Sequence, residues 1–407
     1  LTAGLYPHRI GILDNFVNYP IDQPTVYQAL RRAGYRVGVA GKTDLHKYDT
    51  FYGEDGDNPV MYHWGFTDPH ETIGKMAVAT YDDPDNNCPY KKYLISKSRT
   101  DDLVNDYRKR IFHYARTSNA YPVWYSGESV LPAEDNHESY IGRKACEFLK
   151  NVSDLSPWHL FVSFVGPHDP WDAPKEYYEL YKDKIYPESV KDDMEGKPEW
   201  IKRRSERQSK GMTDEDLNKV KRHYAGMITL IDDWVGKILD ILDERGISEN
   251  TVVIFCADHG EMMGDHGLFQ KQTMYEGALR IPLIISDPRM QRRGTSDALV
   301  ELVDLFPTML DIAGIEYDSG KTDGKSLLPL LKGDTETHKA FQFSEVEHCR
   351  MVCDGKYKFI KNLNDKNELY DLENDPLECV NLVDEKPKTA REMMGALHDL
   401  RKQIRCK

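Results

Sequence analysis

The sequence lacks any apolar run long enough to cross a bilayer. Its longest runs cover only 160–165, 251–257 and 281–285, whereas a membrane-spanning helix needs about 20 residues. No internal repeat is visible. Basic residues are also in deficit, because 54 Lys and Arg face 68 Asp and Glu, for a net charge of −14. Such a chain repels nucleic acid, so no nucleic-acid partner is expected, and an anionic substrate must be held by local cations and a metal.

The cysteines show no metal-binding or redox pattern. Seven are scattered along the chain without a Cys-x-x-Cys pair or zinc-like spacing. Their number neither demands nor excludes a disulfide, so the redox compartment stays open. They are Cys88, Cys146, Cys256, Cys349, Cys353, Cys379 and Cys406.

Helical and strand patterns alternate along most of the chain. This order predicts an α/β fold with a mostly parallel central sheet sandwiched by helices. Pro307 is expected to kink or restart the last of these helices, for which Asp297 is the expected N-cap. The predicted helices cover 25–33, 140–152, 214–244 and 297–313, and the predicted strands cover 35–40, 159–165, 251–257 and 281–285.

The pattern changes after Gly333. Four short strand-like runs separated by turn residues, followed by a helix over 389–404, predict a smaller C-terminal antiparallel sheet plus helix. We therefore expect two domains, 1–335 and 336–407. The charged segment 182–213 is more typical of a solvated loop than of a functional element.

The segment after the strand at 251–257 carries the strongest chemical signal. Asp258, His259, Asp265 and His266 are four potential metal ligands within nine residues, and Lys271 follows them. Ligands bind at the carboxyl ends of strands in open α/β sheets. A metal beside a fixed ammonium suits a tetrahedral oxyanion, either phosphate or sulfate.

Two other strand ends carry polar side chains. Lys42 and His46 follow the strand at 35–40, and His168 follows the strand at 159–165. A lysine can grip an oxyanion, and a histidine can protonate a leaving alkoxide. A helix cap in the first loop and a histidine satisfied by backbone bonds in the second are the structural alternatives. If the three loops meet at one sheet edge, these residues surround a common guest.

These residues resemble the sulfatase family of the alkaline-phosphatase-like superfamily along nearly the whole chain. The segment 1–9 resembles the stretch that follows the family's nucleophile signature, Cys/Ser-x-Pro-x-Arg. The segment 369–376, with Asn381-Leu382, resembles the family's C-terminal subdomain. Further motifs fall in the family's order: Gly41-Lys42, Pro167-His168, 224–232, Asp258-His259-Gly260 and Lys271.

The resemblance implies a role for each matching residue. Asp258 and His259 would bind Ca²⁺ (or Mg²⁺), although many members have asparagine at the second position. Lys42 and Lys271 would hold sulfate oxygens, and His168 would lie near the leaving-group oxygen. The family commonly has Lys-x-His at the first lysine, whereas here Asp44 is third and the histidine is His46.

The nucleophile signature itself is absent from the sequence. The family's nucleophile is a formylglycine made from the cysteine or serine of Cys/Ser-x-Pro-x-Arg, and no such pattern occurs here. The chain also begins without methionine or a leader-like segment. We therefore expect a fragment that lacks the N-terminal strand and the nucleophile, and that is itself inactive.

The function expected for the intact protein is that of a sulfuric ester hydrolase acting on a carbohydrate or aryl sulfate ester. One alternative is a phosphodiesterase or phosphonate monoester hydrolase of the same superfamily. Another is a non-catalytic homologue that binds sulfated glycans. Family resemblance alone suggests export to the periplasm, the exterior or the lysosome, and the oligomeric state stays open.

Overall fold

The computed structural model describes residues 1–14, 17–46, 52–53, 58–80, 88–111, 122–290 and 293–405. The strands are β1 (Arg36–Gly41), β2 (Asp68–Glu71), β3 (Trp158–Ser163), β4 (Val253–Cys256), β5 (Leu283–Ser286), β6 (Gln342–Val346), β7 (Cys349–Cys353), β8 (Tyr357–Asn362) and β9 (Glu368–Asp371).

The helices range from single turns to the 31 residues of α10. They are α1 (Pro7–Ile10), α2 (Val26–Arg32), α3 (Pro59–His63), α4 (Lys75–Thr80), α5 (Pro89–Ser96), α6 (Thr100–Ile111), α7 (His137–Asn151), α8 (Lys175–Glu179), α9 (Glu199–Ser209), α10 (Asp214–Glu244), α11 (Glu276–Leu279), α12 (Leu305–Ile312), α13 (Leu328–Lys332) and α14 (Pro387–Arg405). None of them, in the described parts of the chain, combines the length and apolar character needed to cross a membrane.

The chain divides into two compact units. The first comprises 1–26, 189–210 and 252–407, and the second comprises 27–188 and 211–251. The domain boundary expected near residue 335 lies within the first unit and stays a prediction.

The second unit is built on a parallel sheet with the strand order β2-β1-β3. Side chains alternate between its two faces, as the period of a strand requires. Ala40 packs with Ile141 of α7 on one face. On the other face, Tyr27 of α2 stacks against Phe66 and Phe161. The sheet is therefore covered by helices on both sides, as predicted.

The first unit contains two antiparallel sheets. The strands β6 to β9 pair in sequence order, and α14 packs on them through Met393 and Leu397. This confirms the predicted C-terminal antiparallel sheet plus helix. β4 and β5 form a separate antiparallel pair, with Phe255 opposite Ile284.

β4 and β5 pair antiparallel, which the prediction of a mostly parallel sheet did not specify for these two strands. The connection between them, which is described throughout, has no helix longer than the single turn α11, and it folds back on itself. Its backbone pairs across the fold, with Gly260 N donating to Ala278 O at 2.8 Å and Met262 N donating to Gln270 O at 3.1 Å. The chain therefore returns beside β4 in the opposite direction.

The helix expected over 297–313 begins later than predicted. A short 3₁₀ turn covers Leu302–Asp304, and α12 starts at Leu305. Pro307 thus lies in the first turn, where its missing N–H needs no acceptor. Glu301 and Asp304 cap this region reciprocally, so Asp297 is not the cap.

Gly41, the last residue of β1, allows the close approach of β1 and β3. Its φ is +109°, and a Cβ built on it would lie 1.9 Å from the carbonyl oxygen of Ser163. No side chain fits there without moving the sheet backbone.

Gly41→Ala is expected to destabilise the second unit by about 3 kcal/mol or more, because it adds both a clash and a strained φ. Urea denaturation followed by circular dichroism measures this loss. Gly236→Ala in α10 is the matched control, since no heavy atom lies within 4 Å of its Cβ. It should stabilise the helix by about 0.5–1 kcal/mol. Equal midpoints for Gly41→Ala and the wild type would contradict this account.

His137, the first residue of α7, is a buried histidine. It is 3% exposed, and its ring stacks on Tyr90 at 4.1 Å between centroids. Its Nε2 lies 3.0 Å from Thr72 Oγ1. Burial, with repulsion from Lys75 and Lys42, lowers the pKa of His137 from 6.5 to about 3.

The free energy of unfolding of the second unit should therefore decrease as the pH is lowered from 6.5 to about 3. Between pH 6.5 and about 3 the unfolded chain binds a proton at His137 that the folded chain does not. The free energy of unfolding then decreases on acidification by up to about 1.4 kcal/mol per pH unit from this group. His137→Gln should flatten the slope measured by urea denaturation between pH 7 and 4. His398→Gln, on the exposed side of α14, is the control. An unchanged slope in His137→Gln would rule out this origin.

Candidate active site residues

Lys42 lies at the carboxyl end of β1 in the second unit. Its backbone N–H donates to Ser163 O of β3 at 3.2 Å, so its main chain belongs to the edge of the sheet. The Nζ atom pairs with Asp44 Oδ2 at 2.9 Å, and both side chains are partly exposed. Asp44, which stands where the family commonly has histidine, is thus the counterion of Lys42. An anion that binds Lys42 competes with this carboxylate.

His46 is buried against Glu71, the last residue of β2. Its Nε2 contacts Glu71 Oε2, and Thr43 Oγ1 donates to the other carboxylate oxygen. His46 is 8% exposed and Glu71 is 3% exposed. This geometry favours a role for His46 in holding the loop after β1. Its predicted catalytic role stays a prediction.

His168 lies in the loop that follows β3. Its Nδ1 lies 2.7 Å from Asp169 O, and because a carbonyl oxygen can only accept, Nδ1 carries the proton. In the neutral ring Nε2 is then the acceptor nitrogen. The side chain is 25% exposed. The structure therefore fixes both the tautomer and the direction of the ring.

Glu138 of α7 holds the start of the same loop. Its carboxylate oxygens accept from Val165 N at 3.1 Å and from Gly166 N at 2.8 Å. The residue is 1% exposed. Burial raises the pKa of the Glu138 carboxyl, and the two amide hydrogen bonds and nearby Lys75 oppose this rise. Sequence reasoning did not find Glu138, because a glutamate at a helix N-terminus is also an ordinary surface residue.

The sequence also did not predict a buried ion pair between Lys75 and Asp172. Lys75 Nζ donates to Asp172 Oδ1 at 2.8 Å, and Tyr107 OH donates to Asp172 Oδ2 at 2.6 Å. Lys75 and Asp172 are 4% and 1% exposed. The pair joins α4 to the segment after His168, which supports that loop from a second side.

Asp258 and His259 follow β4 in the first unit. Asp258 Oδ2 lies 3.4 Å from His259 Nε2, with side-chain exposures of 80% and 34%. His259 Nδ1 lies 2.8 Å from Gly260 O and therefore carries the proton. A carboxylate oxygen and an imidazole nitrogen thus lie side by side, as two ligands of one metal ion would.

Two ligands do not complete a metal site. Calcium takes six to eight ligands, mostly oxygens. Within the described residues, no group of three or more His, Cys, Asp or Glu side chains is arranged to hold a metal ion. The Asp258–His259 pair fits a part of a metal shell.

Asp265 and His266 do not form one metal-binding cluster with this pair, which corrects the interpretation of four ligands. Asp265 Oδ1 accepts from Val190 N at 2.8 Å. His266 is 3% exposed, and its Nδ1 lies 2.6 Å from Asp192 Oδ2. Both residues instead fasten the segment at 189–192 to the loop after β4.

Lys271 lies in the same long connection, between two residues with left-handed backbone. Gln270 has φ +67° and Gln272 has φ +66°. Glu261 accepts a hydrogen bond from Gln270 N, and Lys271 is partly exposed. The loop therefore presents this lysine from a tightly defined backbone.

Two family models match the sequence. The model described as sulfatase matches residues 1–315. The model described as the C-terminal region of N-sulphoglucosamine sulphohydrolase matches residues 264–405. Since the first match begins at residue 1, it does not confirm the expected truncation, which stays a prediction.

Known sulfatases are similar to the chain over most of its length. An arylsulfatase of Clostridium perfringens (strain 13 / Type A) is 34% identical over 401 residues, which cover 94% of this chain and 77% of that protein. A choline-sulfatase of Rhizobium meliloti (strain 1021) is 28% identical over 419 residues, which cover 97% of this chain and 75% of that protein.

Solved structures share the fold at lower sequence identity. A phosphonate monoester hydrolase of Agrobacterium radiobacter aligns with a TM-score of 0.77 at 21% identity, covering 99% of this chain and 85% of that one. A protein solved with its substrate D-glucosamine-2-N,6-O-disulfate aligns with a TM-score of 0.74 at 22% identity, covering 100% of this chain and 87% of that one. These likenesses show the alkaline-phosphatase-like fold. The family models and the relatives place this chain in the sulfatase family of hydrolases.

Proposed function

We propose that this protein hydrolyses a carbohydrate or aryl sulfate ester, and that five residues of this chain serve the reaction. The observation that carries the proposal is the placement of Lys42, His168 and the Asp258–His259 pair, each in a loop that directly leaves a strand, with Lys271 in the continuation of the last loop. Polar groups so placed are typical of ligand sites in α/β folds. The arylsulfatase relative supports an aryl sulfate, and the structure solved with a sulfated glucosamine supports a carbohydrate.

Lys42 and Lys271 bind the sulfate oxygens in this proposal. An ammonium group donates up to three hydrogen bonds and carries the positive charge that an anionic ester needs. The need is acute because the chain as a whole carries a net charge of −14. Local cations are therefore required to hold the substrate.

His168 protonates the leaving alkoxide oxygen. The Asp169 carbonyl oxygen accepts from Nδ1, so Nε2 is the atom at which the proton is taken up and released. An imidazole nitrogen can pass a proton to an oxygen within hydrogen-bond distance, which is the role required at the leaving group.

Asp258 and His259 would hold a Ca²⁺ or Mg²⁺ ion in this proposal, each as one ligand, because Oδ2 and Nε2 lie 3.4 Å apart. A bound divalent cation supplies positive charge that polarises the ester oxygens. The Cys/Ser-x-Pro-x-Arg pattern expected to carry a formylglycine nucleophile does not occur in the sequence. The residues named here therefore account for binding and protonation, and not for the nucleophile.

The phosphonate or phosphodiester alternative is less well supported than sulfate. The likeness to a phosphonate monoester hydrolase is in fold, at 21% identity, whereas the relatives at 28% and 34% identity are sulfatases. Comparing 4-nitrophenyl sulfate with bis(4-nitrophenyl) phosphate separates the two functions. A non-catalytic glycan binder would bind the sulfate ester without turning it over.

Lys271→Ala should lower kcat/KM for 4-nitrophenyl sulfate at least about a hundredfold, because one donor to the developing oxyanion is lost. Lys42→Ala should have a similar effect. Turnover is measured with the protein as its organism produces it. Binding of the same ester to the 407-residue chain is measured by calorimetry.

The matched control is Lys361→Ala, which removes an exposed lysine of β8. It should change neither turnover nor binding. If both site variants retain wild-type turnover and affinity, the assignment of the sulfate-binding lysines is wrong.

Asp258→Asn should weaken Ca²⁺ binding about tenfold or more, because it removes a charged ligand from a shell to which this chain contributes two groups. Calorimetric titration with CaCl₂ and then MgCl₂ measures the change. Asp240→Asn, at an exposed position of α10, is the control. In the protein as its organism produces it, a wild type that binds neither ion, or a variant that binds calcium as tightly as the wild type, contradicts the assignment.

A further inference from the structure

We propose that Arg204 is a positioning residue for Lys271, and that the segment 189–209 gives the loop around Lys271 its shape. Both belong to the first unit. The inference rests on the proposed function only where it links this shape to sulfate binding by Lys271. Part of 182–213 is the packed helix α9, with Ile201 buried, and not the solvated loop that was expected.

Arg204 of α9 holds the backbone on both sides of Lys271. Its Nη2 donates to Phe269 O at 2.9 Å and to Lys271 O at 2.8 Å. Its Nη1 lies 3.4 Å from Gln272 O, and Nη2 also contacts Gln272 Oε1 at 3.0 Å. One guanidinium group thus contacts three backbone carbonyl oxygens within the four residues 269–272.

The loop needs such a partner because its backbone is strained. Gln270 and Gln272, on either side of Lys271, both have φ near +66°. Non-glycine residues in this region cost about 1 kcal/mol or more each, and they persist only where surrounding contacts hold them. The contacts to Arg204 supply that restraint at the carbonyl groups of the turn.

The helix that carries Arg204 is itself firmly seated. Ile201 is 1% exposed in the core of the first unit. Ser205 Oγ donates to His266 O at 2.8 Å, and Gln208 Oε1 accepts from Phe269 N at 3.0 Å. These contacts fix the position of α9 independently of the hydrogen bonds that Arg204 makes with the loop.

Lysine cannot replace arginine in this role. The guanidinium is planar and presents five N–H donors in a rigid fork, whereas an ammonium group is a compact charge with three donors on a flexible stem. Arg204→Lys keeps the charge but not the fork. It therefore separates a geometric role from an electrostatic one.

The first test follows the loop without reference to substrate. Hydrogen exchange of the peptide covering 268–273 should accelerate in Arg204→Ala, and to a similar degree in Arg204→Lys. Arg207→Ala, which removes an exposed arginine from the same helix, should leave this peptide unchanged. Unchanged exchange in both Arg204 variants overturns the proposal. If Arg204→Ala does not fold, Arg204→Lys carries the test.

The second test is a double-mutant cycle on the affinity for 4-nitrophenyl sulfate. Arg204→Ala or Arg204→Lys alone should weaken binding on the order of tenfold, because a displaced ammonium loses its contact with the anion. In the Lys271→Ala background the same change should have no further effect. Equal losses in the two backgrounds would show that Arg204 acts independently of Lys271, and would overturn the link.

The two tests distinguish this inference from the proposed function. If Lys271→Ala alone leaves affinity unchanged, the proposed function of Lys271 fails, and with it the link to binding. Accelerated exchange in the Arg204 variants would then still support the structural half. Accelerated exchange with coupled affinities supports both.

Discussion

The structure depends on one constraint: polar groups in the loops at strand ends, both of the backbone and of side chains, must be paired where they leave water. An unpaired buried amide costs about 1–3 kcal/mol. After β3 the Glu138 carboxylate accepts from the amides of Val165 and Gly166. After β1 the buried carboxylate of Glu71 holds Thr43 and His46. Each loop is thus fixed by a side chain from another element, and the exposed residue beside it is held in place.

In the first unit, the side chains of Glu261 and Arg204 pair with the polar groups of the loop. The connection after β4 bends through left-handed residues. Glu261 accepts a hydrogen bond from Gln270 N, and Arg204 donates to the carbonyl oxygens of Phe269 and Lys271 on either side of it. Such restraint matters for catalysis because charged donors act best when they are already oriented before the substrate arrives. Loops held by buried partners keep Lys42, His168 and Lys271 in defined positions without the cost of ordering them.

The sequence predicts those elements whose pattern is local. The helix over 214–244 matches its predicted bounds, because its apolar residues recur every three to four positions along the whole segment. β2 was missed because Asp-Pro-His-Glu contains no β-branched or aromatic residue. The antiparallel return of β5 and the seating of α9 depend on contacts between distant segments. No local pattern carries that information.

The same contrast between local patterns and contacts of distant segments applies to the candidate site residues. Lys42, His168, Asp258, His259 and Lys271 were predicted because each follows a strand or a motif, and their roles stay predictions. The contacts of Glu138 and Arg204 are instead with residues 27 or more positions away. The proposed function depends most directly on the contacts of Lys42 and Lys271 with a bound anion. A crystal structure of the protein with a bound aryl sulfate measures them directly. We expect sulfate oxygens within about 3 Å of Lys42 Nζ and Lys271 Nζ. A sulfate bound elsewhere, with neither lysine in contact, would contradict the account.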